Sequence, residues 1–326
     1  MSKEFPQSWY PIARSRDLRA GGQGIIKAFH GEWLLFRTAS GQPGLTGRYC
    51  CHMGADLGRG QVQGEALECP LHGWRFTTSG RCIHIPGLPQ PPADIALHSL
   101  VCRERYGVIF AFWGGRPAFE LPTPPGMDEE LVSSAVFTLD MEMEYHTPSL
   151  NTFDIQHFER IHNRRFVSKP DITLLGEFCL RIDYEAEILK KRWVDHVMAV
   201  VSSANTKVTI DCWGSSMLFL RNEKTGFGGL VTMLPVETGQ SRVFIVALKQ
   251  RRVGASLTGR VFDRILVGLA AQLMRSFLHS DVRAITHMRP FRGYRIAGLD
   301  DGVQRYWDYW QQLPRWDGEL AGIGKN

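Results

Sequence analysis

The sequence predicts an α+β chain: an all-β domain over residues 8–115, then a second domain over 116–326 with a curved antiparallel sheet around a C-terminal helix. Three observations predict it. Short apolar runs separated by Gly and Pro turn signals fill the first third. Pro117, Pro122, Pro124 and Pro125 form a stretch suited to a domain boundary. Near the end, Leu257, Val261, Ile265, Leu269, Leu273 and Phe277 recur at steps of four, the spacing of one helix face over 256–278.

The strands of the first domain are expected at 31–37, 47–51, 67–69, 74–77 and 106–113, with hairpin loops at Gly41-Gln42-Pro43-Gly44 and Thr78-Ser79-Gly80. In the second domain the apolar segments 134–145, 178–189, 204–220, 228–234 and 242–248 read as strands, and the polar stretch 149–161 as a helix.

At loop tips of the first domain stand two short clips, Cys50-Cys51-His52 and, sixteen residues later, Cys69-Pro70-Leu71-His72, followed by Gly73-Trp74. Two thiolates and two imidazoles also suit tetrahedral zinc. Zinc fingers, however, pair Cys with Cys and His with His, whereas each clip here mixes the two. That mixture points to a Rieske [2Fe-2S] centre, with Cys50 and Cys69 on one iron and His52 and His72 on the other.

A second concentration of ligand chemistry runs from Asn151 to His162. On a continuous helix Asn151, Asp154 and His157 share a face. His162, five residues past His157, joins the same metal only if the helix ends or bulges there. Two histidines with one carboxylate make the facial triad of non-haem Fe(II) oxygenases. Asp281 is the favoured third ligand because it follows directly on the apolar helix; Glu159 competes, as do Asp300 and Asp301 in a Gly-rich turn. Asp154 is assigned instead as a bridge between His157 and a cluster histidine.

The 326 residues suffice for two domains, and 44% hydrophobic with 22% charged residues reads as soluble and globular. A net charge of +5, without a long basic run, argues against nucleic acid and suits docking of an acidic electron-transfer protein. The N-terminus lacks an apolar signal region and no run is long enough to span a membrane, so a cytoplasmic location is expected. Of seven cysteines, Cys51, Cys82, Cys102, Cys179 and Cys212 remain as reduced thiols.

With both sites in hand, the chain resembles the catalytic α subunit of Rieske non-haem iron oxygenases over nearly its full length. Beyond the clips and the run from Asn151 to His162, the likeness rests on Trp9-Tyr10-Pro11-Ile12-Ala13, Gly80-Arg81-Cys82-Ile83-His84-Ile85-Pro86 and Glu104-Arg105-Tyr106-Gly107. The resemblance implies a Rieske domain followed by a helix-grip, START-like catalytic domain. It implies that Cys50, His52, Cys69 and His72 hold the cluster, that His157, His162 and Asp281 hold Fe(II), and that Asp154 and Asn151 are catalytic positions. It further implies a head-to-tail homotrimer in which Asp154 bridges neighbouring subunits.

His52-Met53-Gly54-Ala55-Asp56-Leu57 is similar to the single-component sterol and steroid branch, the cholesterol 7-desaturase and 3-ketosteroid 9α-hydroxylase types. The implied activity is O2-dependent hydroxylation of an apolar, polycyclic, sterol- or steroid-like molecule, with NAD(P)H electrons arriving through a flavin reductase or ferredoxin. Desaturation, oxidative cyclisation and N-oxygenation of a natural product use the same chemistry. A Rieske electron carrier with a ligand-binding second domain is the reading from another class. Two residues depart from the family pattern: Cys51 stands where proline is usual, and Leu150 where an acid often precedes the Asn.

Overall fold

The computed structural model describes residues 4–127, 130–189, 205–251, 256–288 and 296–316. The chain forms two compact units. One comprises the chain to Glu120, the segment Leu234–Thr238 and the chain from Pro314; the other comprises Leu121–Met233 and Gly239–Leu313.

The first unit contains three small antiparallel sheets. Ser8–Arg14 and Cys102–Arg105 flank Val108–Trp113, whose six residues are all buried. Gln23–Ala28, Gly31–Arg37, Pro43–Gly47 and Ser99–Leu100 form the second sheet, and Gln61–Gln63, Ala66–Glu68, Arg75–Phe76 and Cys82–His84 the third. The strand expected at 47–51 is displaced to Pro43–Gly47. Beyond it the chain folds back on itself, with the Leu57 N–H donating to the Arg48 carbonyl (3.0 Å), and this frees the first clip from the sheet. The strand expected from 106 starts at Val108, because Tyr106 and Gly107 take φ of 58° and 75° and make the turn. All seven cysteines are free thiols.

An aromatic core underlies these sheets. The His98 ring packs between Trp33 (5.4 Å) and Trp316 (5.6 Å), and its Nε2 is buried with no hydrogen-bond partner among the described residues. Burial pushes the His98 imidazole down to about 4, since a charged ring would be stranded in apolar surroundings.

The second unit is a large antiparallel sheet with helices against one face. Among the described residues its order is Leu131–Ser133, Gln240–Gln250, Phe227–Glu237, Met217–Asn222, Asn205–Trp213, Cys179–Ile188 and Arg164–Phe166. Phe137–Met141 also pairs with Gln240–Gln250, and Asp171–Leu174 with Cys179–Ile188. The segment expected as one strand over 204–220 is a hairpin, because Gly214 and Ser215 take φ of 54° and 60° and turn Trp213 back onto Met217.

The stretch read as one helix is two: α1 over Thr147–Thr152 and α2 over Ile155–His162. Asp154 between them is extended (φ −80°, ψ 103°), and its carboxylate accepts from the Gln156 N–H at 3.0 Å, capping α2. The long helix, α3, runs over Leu257–Ile285; the turn expected around Asp300 is present, and directly after it Asp301–Gln312 forms a further helix, α4, that the sequence reading did not include. The spacing of Val303, Tyr306, Trp307 and Trp310 is the signal that was available for α4.

The buried face of α3 is not the expected one. Val261, Ile265 and Leu269 are more than half exposed, while Val267 and Ala271 are wholly buried against Ala247 of the sheet. Small residues decide this: Ala271 lets the helix approach closely, and a Cβ on Gly229 would lie 2.3 Å from the Met274 methyl carbon. Lys249 of the sheet and Asp263 of the helix close the contact with a buried ion pair of 2.7 Å. No described helix is long and apolar enough to cross a membrane.

Two outcomes are expected. Leu269→Ala changes stability by less than about 0.5 kcal/mol, whereas Ala271→Leu costs about 2 kcal/mol by overpacking; urea unfolding of the two variants checks the assignment of the face. His98 stays neutral in the folded chain down to about pH 4, while in the unfolded chain it protonates near the ordinary histidine value of 6.5. Its contribution is therefore present above pH 6.5 and is lost as pH falls toward 4. Melting temperatures across that window should fall less steeply for His98→Phe than for the parent, by the equivalent of about 2 kcal/mol.

Candidate metal centres

The two clips of the first unit are loops of one design. The Cys50 N–H donates to the Ala55 carbonyl (2.9 Å) and the Gly54 N–H returns to the Cys50 carbonyl (2.9 Å). In the second, the Cys69 N–H donates to the Trp74 carbonyl (2.8 Å) and the Gly73 N–H to the Cys69 carbonyl (3.1 Å). Each closing turn needs a left-handed residue, and Gly54 and Gly73 supply it at φ of 69° in both cases. The loops thus present Cys and His in matching positions.

Cys50 and Cys69 are buried, while His52 and His72 are exposed with ring centroids 4.9 Å apart. The Trp74 indole stacks flat on His52 at 4.3 Å, a support for that ring which the sequence reading did not identify, although Trp74 directly follows the second clip. Arg48 braces the first loop by bonding Asp56 (2.6 Å) and Glu32 (2.7 Å). The Arg48 bond holds the Asp56 carboxyl below its usual range, and that carboxylate also caps Gly58 (3.0 Å). Burial, with Cys69 alongside, pushes the Cys50 thiol up to about 12. Paired buried thiols opposite paired exposed imidazoles fit the donor set of a two-iron cluster.

In the second unit one group of donors converges: His157, His162 and Asp281, whose ligating atoms lie within 4.8 Å of one another. Helix α2 ends at His162, because Asn163 takes φ of 53° as its C-cap. The His157 Nδ1–H donates to the Asp154 carbonyl (2.5 Å), so Nε2 carries the free lone pair. Burial holds the His157 imidazole below its ordinary value against the pull of Asp281, which favours the neutral ring a metal requires. His162 Nε2 and Asp281 Oδ1 are 2.7 Å apart. Both atoms are nonetheless buried without a hydrogen bond among the described residues. Two such atoms aimed at a shared point fit a cation and little else. Phe277 of α3 stacks on the His162 ring at 3.6 Å and fixes its plane, a contact no sequence spacing announced.

The other sequence candidates lie apart from this group. Asn151 sits on α1, so the face expected to join it to His157 is broken at Asp154. The Asp154 carboxylate, 34% exposed, lies 4.0 Å from the His157 Nδ1. Glu159 pairs with Arg165 (2.9 Å), Asp300 accepts from Gln156 (2.7 Å), and Asp301 opens α4 and pairs with Lys169 (2.8 Å). Leu150 is buried on α1, and Cys51 is exposed beside the first clip.

The Rieske [2Fe-2S] domain family matches residues 8–103. Aminopyrrolnitrin oxygenase PrnD of Pseudomonas fluorescens is 30% identical over 92% of this chain and 88% of its own. The chain belongs to the Rieske non-haem iron oxygenases. Cholesterol 7-desaturase nvd 1 of Ciona intestinalis is 32% identical to this oxygenase over 52% of the chain, but the match spans only 37% of the desaturase. Among solved structures, NdmB of Pseudomonas putida CBB5 shares the fold of this oxygenase at a TM-score of 0.66, with 19% identity over 94% of this chain and 90% of that one.

The double role of Asp154 separates cap from charge. Asp154→Ala should lower stability by about 1 kcal/mol, and Asp154→Asn, which caps equally well, should leave it nearly unchanged; thermal unfolding of both variants checks this.

Proposed function

We propose that this Rieske oxygenase uses electrons and O2 to hydroxylate an apolar, polycyclic small molecule of the sterol or steroid type, as the terminal component behind an NAD(P)H-linked flavin reductase or ferredoxin. The reading rests on the convergence of His162 Nε2 and Asp281 Oδ1, buried and otherwise unbonded, in a chain that also carries the two clips. In it Cys50, Cys69, His52 and His72 hold the cluster, and His157, His162 and Asp281 hold the mononuclear iron. When bound, the cluster supplies single electrons and the mononuclear iron the dioxygen chemistry.

The chain's own residues do the rest. Exposed His52 and His72 offer the cluster's accessible edge to a donor, while the buried thiols stay shielded from solvent. The Asp154 carbonyl fixes the His157 tautomer, and its part-exposed carboxylate, which caps α2 through Oδ1, offers Oδ2 to a cluster histidine of a neighbouring copy. The family resemblance supports reading the chain as a homotrimer, and its reduced cysteines support a cytoplasmic location. Apolar side chains on the helix-facing side of the sheet exclude water from the substrate.

A second reading, oxidation of a natural product at nitrogen or by desaturation or cyclisation, is favoured by one observation. Aminopyrrolnitrin oxygenase aligns over nearly the whole chain, whereas the desaturase aligns over about half of it.

Iron, zinc and sulfide analysis with anaerobic EPR tests the site. The expected content is about three irons and two sulfides per chain, with His162→Ala losing about one iron and keeping the rhombic cluster signal. Zinc in place of iron would sink the cluster assignment, and two irons in fully loaded protein would leave an electron carrier. Turnover of small benzoate-like acids alone would overturn the substrate class.

A further inference from the structure

Two hydroxyl groups on the helix-facing side of the large sheet have no role in holding metal. Tyr184 lies directly opposite Val208, and Thr206 directly opposite Ala186, on adjacent strands. Paired residues and those two positions apart point to the same face, so the two side chains are diagonal neighbours, about 7 Å apart. That face is the one α2 covers. Phe158, between the two histidines of α2, meets the Tyr184 ring edge-on at 5.3 Å, and Phe166 meets it at 5.2 Å. Burial raises the phenol above its ordinary value, against the pull of the Arg164 guanidinium and with a smaller push from the Asp281 carboxylate, so it stays a donor at any working pH.

Neither hydroxyl is bonded within the described residues: Tyr184 is half-buried and makes no hydrogen bond among them, and the Thr206 Oγ1 is wholly buried with no partner among them. On these two strands the neighbours on this face, Ile182, Ala186, Val208 and Ile210, are apolar, while Arg164 and Asn222 share the face from the flanking strands. A hydroxyl left unbonded on such a face calls for an explanation, the wholly buried Thr206 Oγ1 most of all, and two beside a metal triad share a single one.

We propose that Tyr184 and Thr206 form the polar anchor of the substrate pocket, donating to a carbonyl-type oxygen on an otherwise apolar substrate. This rests on the oxygenase reading and narrows it: the preferred substrate carries an oxygen acceptor rather than being a bare hydrocarbon. Tyr184, nearer the triad, sets which carbon faces the iron, and Thr206 tethers the remote side.

The test uses cluster- and iron-loaded protein under anaerobic conditions with two probes of one shape, 9-fluorenone and fluorene, the second lacking the acceptor. The parent protein is expected to bind the ketone about tenfold more tightly. The infrared C=O stretch of the bound ketone should move to lower wavenumber. Tyr184→Phe should bring the affinity ratio toward one and remove most of the C=O shift with iron and sulfide content unchanged; Thr206→Val should reduce both in part. Equal affinities in the parent would overturn the proposal, as would a preference and a C=O shift that survive both substitutions. Loss of iron in Tyr184→Phe with the preference intact would make the phenol a prop for Asp281 and also overturn it. Should Tyr184→Phe fail to fold, Thr206→Val carries the test, and an unchanged C=O shift there is the overturning result. Failure of the oxygenase reading is seen separately, as absence of the third iron from the parent whatever the probes do.

Discussion

The second unit depends on where one helix begins and ends. His157 and His162 are five residues apart, which on a continuous helix turns them about 140° away from each other. They converge because α2 is eight residues long, opened by the Asp154 cap and closed by the left-handed Asn163 immediately after His162. A longer helix would point the second imidazole elsewhere. The same cap residue, through its carbonyl, selects which nitrogen of His157 is free. One aspartate thus fixes both the start of the helix and the tautomer of its first candidate ligand.

The third donor comes from another element and is positioned by packing. Asp281 sits near the end of α3, and α3 is seated on the sheet through Val267, Ala271 and the Lys249–Asp263 pair. Phe277, one turn before Asp281, stacks on the His162 ring. The helix that carries the carboxylate therefore also holds the imidazole it faces. A rotation of α3 would move both, which ties the packing of the helix on the sheet to the geometry of the candidate donors.

Legibility in the sequence followed the range of the interaction. The clips were legible because each is a local loop, closed by its own backbone bonds around Gly54 and Gly73. The strand at 31–37 and the existence of α3 were legible because periodicity is local too. The break at Asp154 was misread, although its cause, an aspartate preceding an amphipathic turn, was in the sequence. The hairpin at Gly214-Ser215 was likewise hidden inside a run of strand-forming residues.

The sequence by itself determined the family, the donor types and the two-part organisation, since these rest on residue identity and short spacing. Tertiary structure alone decided which face of α3 is buried, because a four-step pattern fits the buried Asp263, Val267 and Ala271 as well as the exposed Val261, Ile265 and Leu269. Only the close approach of the helix to Gly229 and Ala247 separates them. Tertiary structure also decided that Asp281, more than a hundred residues from His162, lies 2.7 Å from it while Asp300 and Asp301 are bonded elsewhere. Carboxylates are alike in sequence; what distinguishes them is the direction in which the packed backbone aims them.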